Sequence, residues 1–351
     1  MGISTNRDDW CYDRDEKALE VKVRHLIKAY DAIPAATETW PETLKWSRNL
    51  KRRKRQGRRD KFERSKIVLV SYRPYSSRFL YQSAVFTDEL GLTDKFFPQG
   101  ETNSAIWFTD PTAQKPWLVC GTDRVADLHF VGAAAGAIGV ARYRFTEGKR
   151  LDNITDWALE KFVKRYGKQA NVTKDAIFLY VYAVLHDPHY RKTFAANLKR
   201  EFPRVPLYPG FPQWVAWGKK LLDLHIGYQA AKPYPLSRTD AADSGARATG
   251  QPPTVILKSD SRAGIIVLDS ESYLSGVPRN AWDYMLGGRS AIDWVLDQHK
   301  EKAPRDAIVR EKFNTYRFAQ NKERVIELLL RVVTVSVKTA EITAAMQKAE
   351  R

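Results

Sequence analysis

Ile67-Val68-Leu69-Val70-Ser71-Tyr72-Arg73-Pro74-Tyr75-Ser76-Ser77-Arg78-Phe79-Leu80-Tyr81 is the stretch that decides the fold class. It opens with a run rich in β-branched residues, passes through the turn chemistry of residues 73–77, and resumes an apolar pattern at residues 79–81. That grammar is strand, turn, strand. Further strands are expected at residues 105–108 and 117–120, with Pro111 and Pro116 between them. Upstream, Leu19, Val23, Ile27 and Tyr30 repeat at helical spacing. Downstream, Ile154, Trp157, Phe162 and Tyr166 pattern a helix that Gly167 ends, and Thr173 can cap the next. Asp187-Pro188 suits the cap and first position of another helix. Trp214, Leu221, Leu222 and Leu224 mark a further helix. Residues 237–253 read as a flexible loop, residues 255–268 as a hairpin, residues 279–286 and 290–298 as helices, and residues 321–346 as a long helix. The expected class is α+β, with a β-rich region embedded between helical segments.

The chain has 351 residues, 58 Lys plus Arg against 41 Asp plus Glu, and a formal charge of +17. With 43% hydrophobic residues it can bury a core and is not a disordered chain. No apolar run reaches the roughly 20 residues of a membrane span. No signal-peptide core stands in the first thirty residues, and two cysteines, Cys11 and Cys120, make no disulfide framework. A cytoplasmic location is the simplest expectation. The charge points to a polyanionic partner, nucleic acid first. It is concentrated in Arg48-Asn49-Leu50-Lys51-Arg52-Arg53-Lys54-Arg55-Gln56-Gly57-Arg58-Arg59. Such a run repels itself, so it is expected to be either a solvated linker or a strip of phosphate contacts. Its Lys51, Arg52, Arg53, Lys54, Arg55, Arg58 and Arg59 are candidate DNA contacts. So are Arg73 and Arg78 among tyrosines, Arg142 and Arg144 beside Tyr143 and Phe145, and Lys199 and Arg204. Arginine can grip guanine or phosphate with two donors, and aromatic rings can stack on bases.

Catalytic grammar is sparse. Residues 132–139 are rich in glycine and alanine but lack phosphate-loop spacing, and read as a close-packed turn. His186-Asp187-Pro188-His189 is the one tight set of candidate ligands, and Asp187 is better used as a helix cap than on a metal. Asp13 with Asp15, and Asp240 with Asp243, have plain capping readings. There is no nucleophile elbow, P-loop or Asn-Pro-Pro-Tyr-type methyltransferase motif.

Several segments, in order, resemble a known family. They are Thr5-Asn6-Arg7-Asp8-Asp9-Trp10-Cys11-Tyr12, Tyr72-Arg73-Pro74-Tyr75, Asp127-Leu128-His129-Phe130, Tyr182-Ala183-Val184-Leu185-His186-Asp187-Pro188-His189-Tyr190-Arg191, Phe202-Pro203-Arg204-Val205-Pro206-Leu207, Gly276-Val277-Pro278, Gly288-Arg289-Ser290-Ala291-Ile292-Asp293-Trp294-Val295 and Val332-Val333-Thr334-Val335-Ser336-Val337. Together they resemble the C-terminal target-recognition (specificity) domain of type ISP restriction–modification enzymes and related adenine methyltransferase/helicase proteins. Tyr75 stands where the family usually has Phe. The resemblance implies a double-stranded DNA-binding specificity module; it fixes no base-reading residue, and Arg191 is a further candidate DNA contact. It implies methylation and cleavage by methyltransferase and helicase/nuclease domains or subunits, and S-adenosylmethionine, ATP and Mg used there rather than in this chain. The chain is expected to divide into a helical N-terminal spacer with the basic run (residues 1–65), the core of the recognition domain (66–230) and a C-terminal hairpin and helical part of the same module (231–351). The alternatives are a nuclease or methyltransferase component with an unrecognised site, and a basic scaffold that docks an acidic protein.

Overall fold

A computed structural model describes the chain apart from Gln114, Asp243, Thr249 and Thr315 and the side chain of Ala246, so the Asp243 half of one expected acid pair lies outside the described residues. The Ile67–Arg73 and Ser76–Tyr81 strands form the expected antiparallel hairpin around Pro74-Tyr75. Tyr75 turns the corner at φ 55°, a left-handed conformation that a tyrosine adopts at a cost. Its buried ring sits against Tyr228 and Tyr284, and its hydroxyl donates to Tyr284 Oη at 2.9 Å, which offsets that cost.

The strand Ala105–Thr109 is the centre of a second antiparallel sheet, between Val119–Thr122 and Ala137–Ala141. All five of its residues are buried, and successive side chains of a strand point to opposite faces. Ala105 and Trp107 enter one hydrophobic core, and Ile106 and Phe108 enter another. The first core gathers Leu19, Val23, Val70, Leu80, Leu268, Val295 and Leu329, and so draws on both ends of the chain. The second is helical, built from Phe162, Phe178, Tyr182, Trp214 and Leu221. Gly139 lies under Trp107, where a Cβ would stand 2.6 Å from the ring, so the second half of the small-residue stretch is a strand rather than a turn.

Helix ends follow the sequence. Asp15, Thr155, Thr173 and Asp187 cap Glu16–Asp31, Asp156–Tyr166, Lys174–His186 and Pro188–Thr193. Lys174–His186 packs on Phe211–Ile226 so closely that a Cβ on Gly218 would lie 1.9 Å from the carbonyl oxygen of Leu179. Val255–Asp260 and Ile265–Asp269 pair as expected, and Ser272–Ser275 and Ser237–Asp240 extend them to four antiparallel strands. Part of the expected loop at 237–253 is therefore ordered by a strand edge that it completes. Residues 279–286 are not one helix. A short 3-10 turn, Arg279–Trp282, precedes a two-residue β pair, Met285–Leu286 with Arg289–Ser290. The helix Phe318–Gln347 closes the molecule, anchored by a largely buried ion pair from Lys322 Nζ to Asp269 Oδ2 at 2.8 Å.

A polar knot lies where the two cores meet. Tyr182 Oη is 2.5 Å from His225 Nδ1 and accepts from the amide of Gly121 at 2.7 Å. His225 Nε2 reaches Thr339 Oγ1 at 3.0 Å, and the Tyr284 ring stacks on the imidazole. Burial pulls His225 down to about 3, so it is neutral at pH 7.

Two outcomes follow from these contacts. An unfolded histidine titrates near 6.5, so between that value and 3 the unfolded chain binds the extra proton. The stability from neutral burial is complete above pH 6.5 and drains away as pH falls, with a slope approaching about 1.4 kcal/mol per pH unit. Denaturant midpoints between pH 7.5 and 5.5 should fall more steeply for the natural protein than for His225→Gln; parallel lines would refute the buried neutral imidazole. Gly218→Ala should cost about 2–3 kcal/mol in urea unfolding, because neither helix backbone can move aside cheaply.

Candidate nucleic-acid interface

The basic run is not an extended linker. Residues Arg48–Arg55 form a helix, capped by Ser47 Oγ, which accepts from the amide of Leu50. Leu50 is buried in the first core. Arg53 is turned inward, donating to the carbonyl oxygens of Val85 at 3.0 Å and Thr87 at 2.9 Å through Nη1 and of Asp88 at 3.1 Å through Nη2. The Asp88 carboxylate accepts from Ser47 Oγ at 3.0 Å and pairs with Arg7 at 3.0 Å and Arg53 at 3.6 Å. Lys54 is buried as well, with Nζ donating to the carbonyl oxygen of Tyr30 at 2.8 Å and lying over that ring. Two of the seven expected contacts in the run are thus spent inside the fold. A helix has two sides, and this one anchors itself with the cations on its inner side.

The outer side differs. Arg48, Lys51, Arg52 and Arg55, with Trp46 and Asn49, line an open groove. Arg48, Arg52, Arg55, Arg58 and Arg59 are exposed and Lys51 is half-buried. Among the described residues none of these six has a carboxylate partner. Lys51 and Arg55, one turn apart, both lie 5.5 Å from the centre of the Trp40 ring. The result is a compact cationic face with an aromatic surface beside it.

The other candidates divide in the same way. Arg73 Nη1 is 2.7 Å from the buried carboxylate of Asp127, which also accepts from Tyr12 Oη at 3.0 Å and the amide of His129 at 2.8 Å. Burial holds the Asp127 carboxyl above its ordinary range against the pull of Arg73. Tyr72 Oη donates to Asp8 at 3.1 Å, so three of the family-like segments meet in one interior network. Arg78 lies 4.0 Å over the Tyr72 ring, with its Nε buried and unpartnered. Arg191 is half-buried and donates through Nε to the carbonyl oxygen of Leu185 at 2.8 Å. Arg142 pairs with Asp175 at 2.6 Å. For Arg53, Lys54, Arg73, Arg142 and Arg191 the geometry gives a structural employment instead of a free cation. Lys199 and Arg204 are exposed, the latter paired to Glu201 at 2.8 Å. Arg144 is exposed on a hairpin that the sequence reading did not anticipate.

Arg48 in the groove, Trp40 beside it and the hairpin cations Lys149 and Arg150 are not among the contacts expected from the sequence. A pattern of i, i+3, i+4 and i+7 links Arg48, Lys51, Arg52 and Arg55, and that signal was available. Trp157, assigned to an apolar helix face, is 65% exposed under Lys161 instead. Asp187 serves as a cap, accepting from the amides of His189 and Tyr190, and its carboxylate also pairs with Arg351 at 2.8 Å. No group of three or more His, Cys, Asp or Glu side chains is placed to hold a metal ion among the described residues. Cys11 and Cys120 are free and buried, with thiols pushed to about 12 by burial. No helix among the described residues is long and apolar enough to cross a membrane.

The chain resembles several solved structures. The first, described as a DrdV–DNA complex, is 39% identical with a TM-score of 0.93, over 100% of this chain and 36% of that one. The second is a nuclease-deletion mutant of the Type ISP restriction–modification enzyme LlaGI in complex with a DNA substrate mimic. It is 25% identical with a TM-score of 0.81, over 99% of this chain and 33% of that one. The ATP-dependent Type ISP enzyme LlaBIII bound to DNA shares the fold at 20% identity and a TM-score of 0.84, over 99% of this chain and 23% of that one. The chain therefore spans about a third or less of each. No curated protein matches it. The family model described as "Type ISP C-terminal specificity domain" matches residues 1–328, and the chain belongs to that family.

Proposed function

We propose that this chain is the double-stranded DNA target-recognition module of a Type ISP-like restriction–modification enzyme. The observation that carries the reading is the likeness, along the whole chain, to a protein in a complex with DNA. The outer face of Arg48–Arg55 together with Arg58 and Arg59 just beyond it, six cations lacking acid partners among the described residues, supplies the affinity that such a module needs. Cations on phosphates release condensed counterions and hold the duplex without reading it, and base edges must be read by other side chains. Methylation and cleavage belong to methyltransferase and helicase/nuclease domains or subunits. S-adenosylmethionine, ATP and Mg act there, while this chain supplies the address.

Mobility-shift titrations of duplex across salt test the reading. If the six cations reach phosphates, affinity for any duplex should drop about 10³-fold between 50 and 200 mM salt. Replacing Arg52, Arg55 and Arg58 with Ala should weaken all duplexes alike and flatten the log–log slope by about 3. Flat salt dependence would reject the module. Arg53→Ala separates anchor from contact: it leaves the carbonyls of Val85, Thr87 and Asp88 unpaired, and should cost about 2–4 kcal/mol in urea unfolding. Arg52→Ala should change stability by under about 0.5 kcal/mol.

A further inference from the structure

The strands Tyr143–Thr146 and Lys149–Asp152 pair through a two-residue turn, Glu147-Gly148, with φ of 52° and 72°. Positive φ at both positions gives the twist that favours a tight hairpin. The base is pinned on several sides. Asn103 Nδ2 donates to the carbonyl oxygen of Tyr143 at 2.8 Å, and Asn103 Oδ1 accepts the Tyr143 amide at 3.1 Å. Tyr143 Oη donates to Asp175 at 2.9 Å, and Asn153 Nδ2 donates to the carbonyl oxygen of Ala141 at 2.8 Å.

The two faces of this ribbon differ in kind. On one face Phe145 is buried and Tyr143 half-buried, while their cross-strand partners Arg150 and Asp152 are exposed, so that face packs on the protein through its first strand. The opposite face carries Arg144 across from Leu151 and Thr146 across from Lys149, and all four are exposed. Leu151 is 42% exposed, an uncompensated apolar cost on an otherwise polar surface. Neither Arg144 nor Lys149 has a carboxylate partner among the described residues. Rigid placement and an uncommitted surface on one short element point to a ligand. The set is chemically specific: arginine and lysine donate to guanine O6 and N7, threonine donates or accepts, and an apolar side chain meets the thymine methyl. A two-stranded ribbon also fits the major groove, about 12 Å wide.

We propose that the hairpin of residues 143–152 enters the major groove of the target and reads bases through Arg144, Thr146, Lys149 and Leu151. This rests on the reading of the chain as a DNA-recognition module, and deepens it by separating the element that discriminates from the helix that attracts. Arg142 is then a positioning residue, since its bond to Asp175 holds the hairpin base.

The test is selection of a random-sequence duplex pool by the full chain, with sequencing of the retained DNA. The natural chain should enrich one motif. Arg144→Ala and Lys149→Ala change exposed residues and should keep the fold, as a thermal melt can verify. Each should keep its affinity for random duplex within about threefold, while discrimination at one motif position falls about 5- to 150-fold. Leu151→Ser should relax a position occupied by thymine. A motif identical in all three variants would overturn the hairpin assignment and leave the recognition module standing. A natural chain that retains duplex without enriching any motif, or retains none, would overturn both.

Discussion

The strand Ala105–Thr109 is buried on both faces, and the fold is arranged around that constraint. Its neighbours in the sheet supply backbone partners, but each face needs its own apolar cover. The helices of residues 156–226 cover one, and elements from both ends of the chain cover the other. A sheet covered on both sides forces distant segments together. That is why Leu19 and Leu329, more than three hundred residues apart, belong to one core. It also explains the buried polar groups at the seam. Tyr182, His225 and Thr339 come from three different helices and satisfy one another inside the buried seam.

Positive charge is handled by division of labour within single elements. In the helix Arg48–Arg55, Arg53 is held by three carbonyls and Asp88, and Lys54 by the carbonyl of Tyr30, which makes them part of the interior. Their neighbours one residue away point to solvent. Exposed cations contribute little to stability and mildly repel each other. Anchoring from within lets the outer face stay charged without unravelling. The same partition recurs at Tyr143–Thr146, where Phe145 packs and Arg144 does not.

Much of the fold was legible because its signals are local. The strand–turn–strand of residues 67–81, the caps at Thr173 and Asp187 and the hairpin at 255–268 each rest on a few adjacent residue types. The family-like segments ran in the right order, and the family follows from them. The interface was harder to see, because a residue's type does not say which way it faces. Arg52 and Arg53 are chemically identical, and only the carbonyls of residues 85–88, far along the chain, distinguish contact from anchor. The same holds for Arg73, whose partner Asp127 lies 54 residues on. The hairpin at 143–152 is hidden because Glu147-Gly148 is a weaker turn signal than Asn-Gly, and because alternating aromatic and basic residues look like one cluster until the two faces of a strand separate them.

The helix Phe318–Gln347 has one more implication. Its thirty residues, about 45 Å long, give Leu329 and Val333 to one core and Met346 to the other, and Arg351 just beyond it pairs with Asp187 at the end of the helical layer. It works as a strut nailed at both ends. Neither half of the molecule can melt while the other stays intact without tearing this member loose, so heat should dismantle the whole in a single cooperative step.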